Sequence, residues 1–147
     1  MSSKQLVDTN VLVRFFTGEP PVMAEKARGL VARADAGEIA LVVVPLVVAE
    51  VYFTLESFYE MERKTVAEKL ITFLQCRGIE AVERERVLDA LTRCRERGAH
   101  FVDAYVASVA AAEKQPIASF DRDFDKFRDV QRIEPKGMTN GKGSPSN

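Results

Sequence analysis

Short unbroken apolar runs along the chain alternate with longer stretches in which apolar residues recur at helical spacing. The unbroken runs predict a buried strand at residues 4–8, a strand covered on both faces at 39–44, and short strands at 79–82, 117–119 and 130–133. Strands that alternate with helices argue for an α/β fold around a mainly parallel sheet.

Prolines and glycines mark the ends of the helical stretches, because proline favours the first helical turn and glycine follows the last. In the helix that begins at Pro45 an apolar stripe is predicted to face the core, formed by Val48, Val51, Tyr52, Leu55, Phe58 and Tyr59. In the helix over residues 64–75 the residues predicted to face inward are Val66, Leu70, Phe73 and Leu74. The predicted helical segments are 11–16, 21–36, 45–59, 64–75, 83–97 and 101–114, with a helical turn at 121–127.

The chain has 147 residues, which suits one domain, and we expect a single domain over residues 1–135. Residues 136–147 are rich in Gly, Ser, Asn and Lys and predict a disordered tail. No apolar run approaches the roughly 20 residues that span a membrane. The first residues lack the apolar core of a signal peptide, so we expect a cytoplasmic protein.

The net charge and the cysteine content exclude few classes of protein. The formal net charge of −1 does not suggest a nucleic-acid binder, although a sum hides how charge is distributed. Cys76 and Cys94 are too far apart in sequence for a metal knuckle, and we expect two reduced cysteines in the core or at its boundary, with a disulfide between them as the alternative.

Four acidic residues lie in apolar surroundings where strands end or helices begin. Asp8 and Asp121 follow predicted strands, whereas Glu50 and Asp103 lie in the early turns of apolar helices. Each has a simpler explanation: Asp8 and Asp121 could cap the following turn, Glu50 could be exposed, and Asp103 could stabilise a helix start. Strand ends and the starts of the following helices share one edge of a parallel sheet, so the four side chains could meet.

Converging carboxylates would repel one another unless a cation lay between them. All-oxygen ligands suit Mg²⁺ and Mn²⁺, and the usual work of such sites is phosphoryl chemistry, in which the metal activates water. The sequence therefore indicates a divalent-metal site that acts on a phosphate ester.

Four segments together resemble the ordered motifs of PIN-domain ribonucleases, and most closely those of the VapC toxins of toxin–antitoxin pairs. They are Val-Asp8-Thr-Asn10, Val-Ala-Glu50-Val, Phe-Val-Asp103-Ala-Tyr-Val-Ala and Ser119-Phe-Asp121-Arg-Asp-Phe. The resemblance covers roughly residues 4–134. It implies a PIN α/β/α sandwich, RNA as substrate, Mg²⁺ or Mn²⁺ as cofactor, a homodimer and a cognate antitoxin that blocks the cleft.

The resemblance also assigns roles to individual residues. Asp8, Glu50, Asp103 and Asp121 would form the catalytic acidic quartet. Asp123 would assist or replace Asp121, so that Asp8, Asp103, Asp121 and Asp123 are the expected metal ligands. Asn10 and Ser119 would be polar supports that orient the acids.

Positive charge must hold the RNA, and Arg14 and Arg122 are the expected contacts because they adjoin the acids. His100, the only histidine, is expected to be a structural or surface residue. An aspartyl-phosphate phosphatase is disfavoured because that chemistry usually requires a second acid where Asn10 stands. The other alternative is a catalytically silent PIN module that binds RNA or protein.

Overall fold

The structure is a computed structural model that describes residues 3–138. Its chain divides into two compact units, Met1–Tyr105 and Val106–Asn147. The strands are β1 (Ser3–Leu6), β2 (Ile39–Val43), β3 (Ile79–Ala81), β4 (Ile117–Ala118) and β5 (Arg132–Ile133). The helices are α1 (Thr9–Thr17), α2 (Pro21–Asp35), α3 (Pro45–Ser57), α4 (Arg63–Leu74), α5 (Arg84–Arg97) and α6 (Phe101–Glu113), followed by a 3₁₀ helix η1 (Arg122–Lys126).

The first unit contains a parallel three-stranded sheet in the order β1-β2-β3. Leu6 of β1 pairs with Val42 of β2, and Val43 of β2 pairs with Ala81 of β3. All three strands therefore run in one direction, and each is followed by a helix. This arrangement confirms the mixed α/β class with a parallel sheet that the alternation of patterns predicts.

Local sequence accounts for the helix ends. Proline occupies the first turn of both α2 and α3, where a missing N–H costs nothing. Gly18 and Gly98 follow α1 and α5 in the left-handed conformation that glycine adopts without strain.

The predicted core faces of the helices are largely confirmed. In α4 every residue expected to face inward is buried, namely Val66, Leu70, Phe73 and Leu74. In α3 the stripe is buried as far as Leu55, but Phe58 is 77% exposed, so its predicted core position is wrong. Phe58 is the C-cap of α3 and keeps helical backbone angles, with its N–H bonded to the carbonyl of Thr54, so it is exposed because no described element covers this end of the helical face.

A close backbone contact fixes the turn before β3. Gly78 has φ of +80°, and a Cβ added there would lie 2.2 Å from the backbone oxygen of Ala34, near the end of α2. Any side chain at position 78 would therefore push α2 and β3 apart.

The prediction of a buried strand at residues 4–8 is wrong in its burial and in its length. The strand is Ser3–Leu6, all four of its residues are exposed, and only the following Val7 is buried. Three of the four strand residues are polar, and β1 forms one edge of the three-stranded sheet. An edge strand with so few apolar side chains has little surface to bury.

The second unit contains a parallel pair of short strands, β4 and β5, with η1 between them in sequence. Phe124 of η1 and the following Phe127 are buried, and their ring centroids are 6.4 Å apart. Residues 139–147 of the predicted tail lie outside the described part of the chain, so the proposed domain end at residue 135 stays a prediction.

Candidate metal and nucleic-acid site

Asp8 lies at the N-cap position of α1, two residues after the last residue of β1. Its backbone is extended, with φ of −89° and ψ of 157°, which suits a capping residue. However, its side chain makes no capping hydrogen bond, and within residues 3–138 it has no ion pair. The carboxylate is exposed, so capping does not explain this acid.

The strand register brings Asp8 to the edge of the sheet from which α3 begins. Val7 donates its backbone N–H to the carbonyl of Val42 at 3.0 Å, which continues the pairing beyond β1. Extending the same register places Asp8 level with Val44, the residue before α3. Glu50 follows in the second turn of α3, where it is exposed and has no hydrogen bond or ion pair within the described residues.

Asp103 lies in the first turn of α6 and is half-buried. The segment that enters this turn is held by two helices from earlier in the chain. Tyr52 of α3 donates its hydroxyl hydrogen to the carbonyl of Ala99 at 2.9 Å, and Arg63 of α4 donates to the carbonyl of Gly98. The position of Asp103 therefore depends on side chains of α3 and α4.

Arg63, Glu56 and His100 form a cluster beside this segment. Arg63 donates to Glu56 and also lies against His100 Nε2, while His100 Nδ1 is 3.1 Å from Glu56 Oε1. The hydrogen bond to Glu56 raises the pKa of Arg63. His100 is exposed and contacts Arg63 and Glu56, which agrees with a structural or surface residue.

An open apolar groove of about 410 Å³ lies between the starts of α3 and α6. Val44, Leu46 and Val102 line it, together with Tyr105, whose hydroxyl is hydrogen-bonded to Glu83. This hydrogen bond raises the pKa of Tyr105. The groove is lined by neighbours of Glu50 and Asp103 in sequence but not by these acids themselves.

The remaining predicted acids belong to the second unit. Asp121 caps η1, because its Oδ1 accepts the backbone N–H of Asp123 at 2.8 Å. Ser119 Oγ accepts the backbone N–H of Asp121 at 2.9 Å, so Ser119 orients the main chain here. Asp123 and Arg122 are exposed, and the Asp123 carboxylate has no hydrogen bond or ion pair in the described structure.

Arg132, which the sequence patterns did not single out, anchors this loop from β5. It donates to Asp125 Oδ1 at 2.9 Å and to the carbonyl of Ser119 at 3.1 Å. The hydrogen bond from Arg132 holds the pKa of Asp125 below its usual range. Acids at alternate positions between two short strands, Asp121, Asp123 and Asp125, could have suggested a basic anchor, but its position requires the strand pairing.

The predicted acids are chemically suitable ligands for a hard cation, but the described side chains are not arranged as an assembled cluster. Asp8, Glu50 and Asp123 offer exposed carboxylates that are unpartnered within residues 3–138, which are suitable ligands for Mg²⁺ or Mn²⁺. Over the same residues, no group of three or more His, Cys, Asp or Glu side chains is arranged to hold a metal ion. The expected supports are only partly in place, since Asn10 is exposed and makes no hydrogen bond to any acid in the described part of the chain.

Comparison with known proteins identifies the class of the chain. Residues 6–130 match the PIN domain family, and this segment contains all four acidic motifs. The chain belongs to the PIN domain family, which confirms the predicted PIN-like α/β fold. PIN domains are typically nucleases that use divalent metal ions and bind RNA.

A comparison with curated proteins gave no match. Within residues 3–138, no helix is both long enough and apolar enough to cross a membrane.

Proposed function

We propose that this protein is an endoribonuclease of the VapC toxin type that hydrolyses RNA phosphodiester bonds with Mg²⁺ or Mn²⁺. The observation that carries the proposal is the position and availability of the Asp8 carboxylate. It lies at the end of a parallel strand, inside the matched family segment, with an exposed carboxylate that neither caps α1 nor pairs with a cation within the described residues. A nuclease requires such an available acid at the edge of the sheet.

Each acid has a proposed role in this reaction. Asp8, Glu50, Asp103 and Asp121 form the catalytic quartet, and Asp8, Asp103, Asp121 and Asp123 would hold the metal. When bound, the metal would activate water and stabilise the charge that develops on the phosphate. Of the supports, Ser119 fixes the main chain of Asp121 by its 2.9 Å hydrogen bond, and Asn10 is proposed to orient Asp8.

Arg14 and Arg122 are the proposed RNA contacts among the basic residues. Arg14 lies on the same helix that Asp8 begins, and Arg122 directly follows Asp121. Both side chains are close in sequence to an acid, so a phosphate held by either would lie near the proposed site.

The direct test replaces Asp8 with Asn, which keeps the shape of the side chain and removes its charge. Asp8→Asn should abolish cleavage of single-stranded RNA in Mn²⁺ while the circular dichroism spectrum stays unchanged. The matched control is Asp35→Asn, because Asp35 is exposed at the end of α2 and has no partner within residues 3–138. Cleavage by Asp8→Asn at the rate of the unmodified chain would refute the proposal.

A catalytically silent PIN module is the second candidate. It is favoured by the absence of an assembled three-ligand cluster within residues 3–138. The two candidates differ in their response to EDTA. Chelation should stop RNA degradation and leave RNA binding intact if the chain is a nuclease, whereas a silent module would bind RNA and cleave none with or without metal.

The toxin assignment further implies a cognate antitoxin, a homodimer and a cytoplasmic location. An open apolar groove of about 400 Å³ supports a protein partner, because Phe15, Phe16 and Phe73 line it with ring centroids about 5.5 Å apart. A small upstream gene whose product co-purifies with the chain and blocks cleavage would support the toxin role. Light scattering of the purified chain would show whether it is a dimer.

A further inference from the structure

Helices α1 and α2 enclose an open groove of about 450 Å³ on the first unit. Among the residues that the structure describes, its polar lining consists of Asn10, Arg14 and Lys26, and none of the described acidic residues lines it. The rest of the lining is apolar and includes Met23, which is 55% exposed. The groove is therefore cationic at some points and apolar at others.

Neither cation of this groove is neutralised within the described residues. Arg14 and Lys26 have no ion pair there, and the acid beside Lys26 in sequence, Glu25, pairs instead with Arg28 at 2.7 Å. An unpaired lysine on an exposed helix is common, but two unpaired cations on facing helices create a local positive potential. Such a potential attracts an anion.

The Arg14 side chain carries a second indication of a ligand. Its Nε is buried and has no hydrogen-bond partner within residues 3–138. A buried donor without an acceptor destabilises the folded chain. An acceptor oxygen that enters the groove would meet the Arg14 guanidinium and could offset this cost.

Asn10, which lines the groove, is two residues after the proposed catalytic acid Asp8. Asn10 and Arg14 are four residues apart on α1 and therefore lie on one face, and Asp8 is the N-cap of the same helix. A strand of RNA with one phosphate near Asp8 would pass Asn10 before it reaches Arg14.

We propose that this groove binds a nucleotide of single-stranded RNA next to the cleavage site. Arg14 and Lys26 hold its phosphodiester, and the apolar lining around Met23 contacts its base or ribose. The proposal rests on the proposed nuclease function, since it names the subsite that positions the substrate. An acidic peptide could satisfy the same cations, but the continuity with Asp8 favours RNA.

Binding should be measured separately from cleavage, in an Asp8→Asn chain that does not cut RNA. The probe is a short fluorescein-labelled single-stranded RNA, and the readout is fluorescence anisotropy over a range of salt concentrations. Each phosphate contact to single-stranded nucleic acid contributes about 0.7 to the slope of log K against log salt concentration. Lys26→Gln and Arg14→Gln should therefore each weaken binding and reduce the slope by about 0.7.

Two further variants test whether a change in RNA binding comes from this groove or from the overall charge of the chain. Lys64→Gln removes one positive charge at an exposed residue of α4 that does not line the groove, and it should leave the slope unchanged. Arg14→Lys keeps the charge but removes Nε, so it should keep the slope and still weaken binding. Folding of each variant is checked by its thermal melt.

The outcomes distinguish this subsite from the proposed function. Cleavage of RNA by the unmodified chain, together with unchanged slopes for Lys26→Gln and Arg14→Gln, would overturn the subsite and leave the nuclease intact. A loss of slope in these variants, together with no RNA cleavage by the unmodified chain, would support the subsite and refute the nuclease. Equal effects of Lys64→Gln, or equally tight binding of polyglutamate, would overturn the assignment to RNA.

Discussion

Arg63→Ala tests the cluster that holds the segment before α6. The substitution removes three contacts at once: the ion pair with Glu56, the hydrogen bond to the carbonyl of Gly98 and the contact with His100. Glu56 then keeps its charge in a position where its side chain is only 15% exposed. Its Oε1 is buried and has no hydrogen bond in the described residues, although His100 Nδ1 lies 3.1 Å away.

The expected loss of stability in Arg63→Ala lies between the loss for breaking a surface ion pair and the loss for breaking a fully buried one. A solvent-exposed ion pair contributes about 0–1 kcal/mol, whereas breaking a buried pair costs about 3–5 kcal/mol. The Arg63 side chain is 32% exposed, so we place the loss for Arg63→Ala at about 2–3 kcal/mol, including the hydrogen bond to Gly98. For a chain of this length that corresponds to a fall in Tm of about 5–10 °C.

Urea unfolding followed by circular dichroism measures this loss. Arg28→Ala is the matched control, because Arg28 also pairs with a glutamate, at 2.7 Å, but both partners are well exposed. It should change the free energy of unfolding by less than about 0.5 kcal/mol. In a cycle with Glu56→Ala, the coupling energy between Glu56 and Arg63 should be about 1–2 kcal/mol.

Hydrogen exchange adds a local readout of the same variant. The amide of Ala104 donates to the carbonyl of His100 at 3.0 Å in the first turn of α6, and its exchange should accelerate when Arg63 is removed. If Arg63→Ala behaves like Arg28→Ala in both measurements, the cluster is fully solvated and the argument from burial is refuted.

Three other predictions follow from the acids, the thiols and the loop anchor. Mn²⁺ should raise the Tm of the unmodified chain by mass action and should raise that of Asp8→Asn less; equal shifts would show that Asp8 is not a ligand. Burial raises the pKa of the Cys94 thiol to about 12, so iodoacetamide should label exposed Cys76 and spare Cys94 in the native chain, and equal labelling would contradict the burial. Asp125 should titrate below the usual range in an NMR experiment and return toward it in Arg132→Gln; because its pKa is lowered, the stabilisation is present at neutral pH and is lost as the pH falls through that pKa.

Much of the helical structure could be predicted because its signals are local. The prolines that begin α2 and α3, and the glycines that follow α1 and α5, act within one turn of their own position. The helical spacing of apolar residues likewise predicted the buried face of α4, because only one face of such a helix packs against the core. The same reasoning failed at residues 4–8 and at Phe58, because apolar character does not reveal whether a neighbouring element covers the residue.

The contacts that hold the segment before α6 could not be read from spacing. Tyr52 reaches Ala99 across 47 positions, and Arg63 reaches Gly98 across 35. Such pairs depend on how α3 and α4 pack beside the end of α5, which no periodicity encodes. The available signal was weak: a tyrosine within an apolar stripe needs a hydrogen-bond partner when it is buried.

For the acids too, the fold topology determines backbone positions, whereas side-chain conformation determines how close the carboxylates lie to one another. Parallel strands and their register place Asp8 level with the residue before α3, as strand ends in a parallel sheet require. Convergence of the carboxylates is a different matter, because like charges repel and exposed side chains can change rotamer at low cost. A cation reverses that balance by attracting each carboxylate. The metal dependence of stability in Asp8→Asn is therefore a more direct measure of this site than the separation of its acids.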